Sequence, residues 1–103
     1  HYVVSIMFRD IIELISIEHE VDENGFEIKN EVATEVFANK KSIRASEFYE
    51  SQKLGYKLAI MFEIRVWDFD NQEYLIHEEI IYKIERLYQK NSEILELVCS
   101  KVV

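Results

Sequence analysis

The 103-residue chain has no proline, two glycines and one cysteine. Without proline no strand is forced to an edge or broken, so long strands are open to it. A lone thiol, Cys99, has no partner in the chain for a disulfide. Its place in an apolar run reads as a buried structural thiol in a reducing compartment. No hydrophobic run approaches the roughly 20 residues of a membrane-spanning helix, and no signal peptide, internal repeat, linker or low-complexity tract is recognised. Basic residues are in deficit, 12 against 20 acidic for a net charge of −8. That deficit argues against a groove that grips nucleic-acid phosphates.

What is present is a globular composition, 49% hydrophobic and 13% aromatic, in a length that suits one domain with a single modest core. Asp10 to His19 has apolar residues on both alternating faces and reads as a strand buried on two sides or lying at a subunit contact. Val21-Asp22-Glu23-Asn24-Gly25 is a turn, because Asn-Gly supplies positive φ angles. From Phe26 the alternation sends Phe26, Ile28, Val32, Val36 and Ala38 to one face and Glu27, Lys29, Glu31 and Glu35 to the other. That strand runs on toward Arg44, long enough to predict a bend or bulge near Asn30 or Asn39. Ile60, Phe62, Ile64 and Val66 form one face of the next strand. A hairpin follows across Glu78-Glu79, with Ile80, Tyr82, Ile84 and Tyr88 on one side, and the last strand, Glu93 to Lys101, turns Leu95, Leu97 and Cys99 inward. The predicted class is all-β, mainly antiparallel, a small six-stranded barrel or sandwich with one short helix inserted between strands. Phe62, Ile64, Ile84, Leu95 and Leu97 are expected in one core.

The helix is predicted near Ser46 to Leu54, with Ser46 as N-cap, Glu47 and Glu50 in the first turn, Lys53 near the end and Gly55 as a left-handed cap. At about 9 residues it is too short to hold itself together. It must pack on the strands or order against a partner. One reading makes it a plug, with Phe48 and Tyr49 sealing an end of the barrel. The other makes Glu47, Phe48, Tyr49, Glu50, Gln52, Lys53 and Tyr56 an interaction segment that is loosely held in the free subunit and fixed on assembly.

No residue set reads as a catalytic or cofactor site. Asp68, Asp70 and Glu73 crowd one loop but have no nucleophile, neighbouring histidine or phosphate cradle beside them, and a solvated acidic loop is the expectation. The echo of a calcium loop from Asp68 to Glu79 has Glu73 where the sharp turn needs glycine. His19, His77 and Cys99 lack zinc-ligand spacing, and the histidines are expected at the surface or a strand edge. Tyr49, Tyr56, Trp67, Phe69 and Tyr74 could stack on bases, but with this charge they are expected as core and interface anchors. No catalytic residue, metal or cofactor is assigned.

The run Glu47-Phe48-Tyr49-Glu50-Ser51-Gln52, followed by Lys57 and Met61-Phe62-Glu63-Ile64-Arg65, resembles the head closure, or head-tail adaptor, proteins of long-tailed bacteriophages. Asp22-Glu23-Asn24-Gly25 leading to Thr34-Glu35-Val36-Phe37-Ala38 extends the resemblance, as does Tyr82-Lys83-Ile84 leading to Glu96-Leu97-Val98-Cys99. These segments follow the family's order and cover most of the chain from Met7 onward. One departure is Glu78-Glu79, where such proteins commonly have a glycine. The resemblance implies a domain from Met7 to Val103, preceded by a vector-derived or disordered start at residues 1–6. It implies a non-enzymatic virion subunit in a ring beneath the portal, with portal or adaptor and tail proteins and copies of itself as partners. DNA would pass nearby without being specifically bound, no membrane would be involved, and an acidic wall would let it slide. The alternative is a small β-barrel interaction module that binds a partner strand or peptide. The net charge and the lack of one large apolar patch in the sequence predict a free subunit that is monomeric or weakly associated.

Overall fold

The computed structural model describes residues 8–55 and 57–102. The expected vector-derived start and Tyr56 lie outside the described residues. Six antiparallel strands follow the alternation in the sequence: β1 (Asp10–Val21), β2 (Glu27–Lys41), β3 (Leu58–Arg65), β4 (Tyr74–His77), β5 (Ile80–Gln89) and β6 (Ile94–Lys101). One helix, α1 (Ala45–Lys53), lies between β2 and β3, and a 3-10 turn, Val66–Asp68, ends β3. The strands close into a barrel in the order β1-β2-β3-β6-β5-β4. The expected mainly antiparallel, six-stranded architecture with one inserted helix is the one found.

Alternation puts one face of each strand inside. Phe62, Ile64, Leu95 and Leu97 share the interior with Ile12 and Leu14 in one cluster, and Ile84 packs against it. β5 departs from the predicted phase. A bulge between Ile84 and Arg86 sets Leu87 opposite Leu97 and Tyr88 opposite Glu96. One extra residue reverses which side chains face inward, so Tyr88 is outside and 55% exposed, not in line with Tyr82.

β1 and β2 form a longer ribbon than the barrel can use. Twelve successive pairs run without a shift from Asp10 opposite Ala38 to Val21 opposite Glu27. β1 meets β4 only at Glu13 to Ile15, and β2 meets β3 only at Asn39 to Lys41. Of the predicted bend or bulge near Asn30 or Asn39, the bulge is therefore absent. β2 accommodates its length by leaving the barrel and changing partner at Asn39, and the register shifts fall instead at Leu58/Ile60 and Ile84/Arg86. β1 is likewise not buried on two sides, since Ile11 and Ile17 are exposed. At the ribbon tip Gly25 takes φ +85°. The Asp22 side chain accepts from the amides of Asn24 at 2.9 Å and Phe26 at 2.8 Å. Asp22 thus fixes the turn as much as Asn24-Gly25 does.

The β4–β5 turn is strained. Glu78 and Glu79 have φ +50° and +68° between the paired His77 and Ile80, a two-residue turn with both central residues left-handed. A side chain with a Cβ adopts that conformation at a cost of about 1–2 kcal/mol per residue. The double substitution Glu78→Asn/Glu79→Gly should stabilise the fold by about 1 kcal/mol, after allowing for the freer unfolded glycine. Urea denaturation checks this: the midpoint should rise with an unchanged slope.

Cys99 lies in the core, and burial, with a smaller push from Glu85, raises its thiol from an ordinary 9.0 to about 12. The fold therefore favours the neutral thiol. This contribution to stability is complete below pH 9 and is lost as the unfolded chain ionises between pH 9 and about 12. A Cys99→Ala variant should show a shallower stability loss over that window in pH-dependent denaturation, and native Cys99 should resist alkylation at neutral pH.

Candidate interaction surface

α1 starts one residue earlier than the sequence predicts. Its N-cap is Arg44, without a side-chain capping bond, and Ser46 lies inside the first turn. The Phe48 amide donates to the Arg44 carbonyl at 3.0 Å, so backbone bonding suffices to start the helix. The expected end is present: Gly55 has φ +93° and its amide donates to the Gln52 carbonyl at 3.2 Å.

The helix is not a plug. The interior cluster contains none of its residues, and its contacts are to β3. A second, smaller cluster of Leu58, Met61 and Val98, with Ile43 against it, lies on the other face of β3 and β6. The helix therefore sits on the outer wall. Ser51 is its one buried residue. The Ser51 hydroxyl donates to the Phe48 carbonyl at 2.8 Å and accepts from the Leu58 amide at 3.4 Å, bridging the helix to the start of β3.

The main tether is electrostatic. Glu63 and Glu96 are opposite each other in β3 and β6, and both are nearly buried, with side chains 5% and 2% exposed. Like charges so placed repel, and each needs a cation. The Arg44 guanidinium donates to both oxygens of Glu96, at 2.9 and 3.1 Å, and stands 5.9 Å from the Tyr88 ring centre. Its hydrogen bond to Glu96 is the main cause of a pKa raised further still. Lys90 reaches Glu63 at 3.1 Å and Lys41 at 3.6 Å. The two carboxylates thus draw the end of β2, the helix N-cap and the β5–β6 turn onto one wall.

Of the predicted segment, Tyr49 is 66% exposed and Phe48, 37% exposed, meets it edge-on at 5.9 Å. Glu50, Gln52 and Lys53 face solvent. Glu47 points the other way, its buried Oε2 3.9 Å from the Arg44 guanidinium and without a hydrogen bond. Beside it Arg44, Ser46, Glu47, Arg86 and Tyr88 line a groove of about 300 Å³. Phe48, Tyr49, Glu50, Gln52 and Lys53 are thus the exposed members of the segment, Glu47 turns to the groove, Tyr56 lies outside the described residues, and the groove adds Arg44, Arg86 and Tyr88, which sequence reasoning missed. Arg44 was legible only as a basic residue just before the helix. Tyr88 was hidden by the bulge.

The remaining sites stay dispersed. His19 lies on the ribbon beside Glu27. His77 is buried, contrary to the surface placement expected, with its ring 5.0 Å from that of Phe62 and 3.7 Å from Asp10 and Glu78. The alternation of β4 turns it inward beside Leu75. Burial raises the Asp68 pKa, opposed by Arg65, and the Asp70 amide donates to Gln72 at 2.7 Å. Among the described residues no three His, Cys, Asp or Glu side chains gather into a metal-binding group.

Arg44 and Ser51 hold the helix almost alone, so the amides from Phe48 to Leu54 should exchange with deuterium faster than those of β3 from Phe62 to Arg65. Arg44→Met should speed them further and destabilise the protein by about 1–3 kcal/mol, less than for a fully buried pair because Arg44 is half exposed. Hydrogen exchange with mass spectrometry checks both, and equal protection of helix and β3 would contradict them.

The sequence matches no protein-family model and no curated protein.

Proposed function

We propose that the protein is a head closure, or head-tail connector, subunit of a long-tailed bacteriophage. It forms a ring below the portal and joins the DNA-filled head to the tail. Its work is binding rather than catalysis, with portal or adaptor and tail proteins and further copies of itself as partners. It acts at the head–tail interface of the virion, after assembly in the host cytoplasm.

The observation that carries this reading is where the family-like run falls. Glu47 to Gln52, where the resemblance starts, lies in the helix held on the outside of the barrel wall, and most of its side chains are turned to solvent. A helix with so little buried surface contributes little to the core, and such segments suit contacts that order on binding. The net charge of −8 fits a subunit along which DNA slides without being held.

The alternative, a module that accepts a partner's strand, draws support from β2, whose edge opposite β1 is unpaired from Glu27 to Ala38 among the described residues. Deletion of the gene from its parent phage or prophage separates the two readings. The connector reading predicts heads that package and then lose DNA, accumulating beside free tails, with restoration by the wild-type protein supplied in trans. Normal yields of infectious, tailed particles from the deletion strain would overturn it.

A further inference from the structure

The charge of the molecule is strongly segregated. Residues 10–38, the β1–β2 ribbon, hold nine of the 20 acidic side chains and one of the 12 basic ones; the rest of the chain holds eleven of each. The ribbon thus carries the whole net charge. The segment from Lys40 to Lys57, which crosses from β2 through α1 to β3, holds five basic and two acidic residues; Lys41 and Arg44 are taken up by Glu63 and Glu96, and Lys53, with Arg86 of β5, supplies the positive charge left exposed beside the helix.

The ribbon is also apolar where it leaves the barrel. Ile17, Val21, Phe26, Ile28 and Val32 are each at least 40% exposed and come from both of its faces. Beyond Ile15 and before Asn39 its two edges have no strand beside them among the described residues. A two-stranded ribbon of this kind is marginal in water, and open edges invite pairing. The helix-bearing wall offers the complement: Tyr49, Leu54 and Tyr88 are each at least 50% exposed, beside Lys53 and Arg86.

The projecting part of the ribbon, residues 16–32, makes no hydrogen bond or ion pair with this wall in its own chain among the described residues. In a closed order β1-β2-β3-β6-β5-β4, β1 and β6 are three steps apart whichever way the ring is followed. Arg44 lies over β6. β1 therefore lies across the barrel from the wall, while only the far end of β2 adjoins it, and a contact between residues 16–32 and the wall is made between molecules, head to tail. Like net charges oppose association, but at physiological salt the screening length is about 8 Å, short beside a molecule 49 Å long. Local complementarity at the contact then decides.

We propose that the acidic β1–β2 ribbon of one copy docks on the basic, helix-bearing wall of the next. This inference rests on the ring reading above and names the contact that would build the ring. Two variants with exposed substitutions test it in the full chain: Glu18→Lys/Glu20→Lys/Glu31→Lys on the ribbon, and Lys53→Glu/Arg86→Glu on the wall. Sedimentation equilibrium at physiological salt should show the wild type growing past the dimer as concentration rises, while each variant alone stays monomeric. The mixture should stop at a one-to-one dimer, because one partner keeps a working wall and the other a working ribbon. A charge-preserving pair, Phe26→Ser and Tyr49→Ser, should behave in the same way. A wild type monomeric throughout, a variant that still associates, or a mixture without dimer overturns the proposal. Its failure is distinct from that of the connector reading: a capped dimer from a protein whose deletion leaves virions intact keeps the contact and removes the function. A connector phenotype without the dimer does the reverse.

Discussion

Two glutamates facing each other on the outside of the barrel organise everything that lies beyond its core. Glu63 and Glu96 occupy neighbouring strands in a paired register, and neither has the solvent exposure that would let water carry its charge. Burying one carboxylate is costly and burying two side by side is worse. The offsetting cations come from three different places in the sequence: Lys41 at the end of β2, Arg44 at the helix N-cap and Lys90 in the β5–β6 turn. A single electrostatic requirement therefore fixes where β2 stops, where the helix starts and how a distant turn folds back. With a bare apolar wall at this position the crossover would have only Ile43, Ser51 and Leu58 to hold it.

That arrangement explains why the helix is both placed and weakly held. Its position is set by a charge pair at one end and a serine bridge in the middle, while most of its own side chains face outward. Helices of this length are not stable through propensity, so α1 follows the state of its tethers. A partner that covers Tyr49 and the groove beside Arg44 would remove water from the Arg44–Glu96 pair and strengthen it. Binding outside and order inside would then reinforce each other. The same coupling makes Arg44 a poor surface on which to test binding, because its loss disturbs the wall as well as the contact.

The fold was largely legible in the sequence because period-two alternation is a direct record of which face is buried. Phe62, Ile64, Leu95 and Leu97 were read correctly for that reason, as was the turn at Gly25. What failed were the places where alternation is interrupted or is not the deciding signal. The bulge after Ile84 moved Tyr88 to the outer wall, and nothing in the identity of Glu85 announces an extra residue in the ladder. His77, without zinc-ligand spacing, reads as a surface or strand-edge residue, yet its position in β4 points it inward. Ser46 lost the N-cap because backbone bonds at Arg44 start the helix without it. For the candidate site, the exposed face of the helix was legible from its short apolar stripe. Its setting was not, since the pairing of Arg44 with Glu96 spans 52 positions and depends on a register no local pattern encodes.

The ribbon shows how the two parts of the molecule divide their tasks. A barrel needs its strands only as long as the wall is high, and β4, with four residues, closes it. β2 has fifteen, and the surplus goes to a projection with apolar side chains on both faces, open edges and the whole net charge. A projecting ribbon that is merely polar needs no partner, and one that is merely apolar invites any partner. Acidic residues at Glu18, Glu20 and Glu31 raise the cost of pairing two ribbons edge to edge, where like charges would face each other. They leave a basic surface as the favourable alternative. Charge therefore acts here chiefly by exclusion, disfavouring the pairing of this open strand edge with another acidic one.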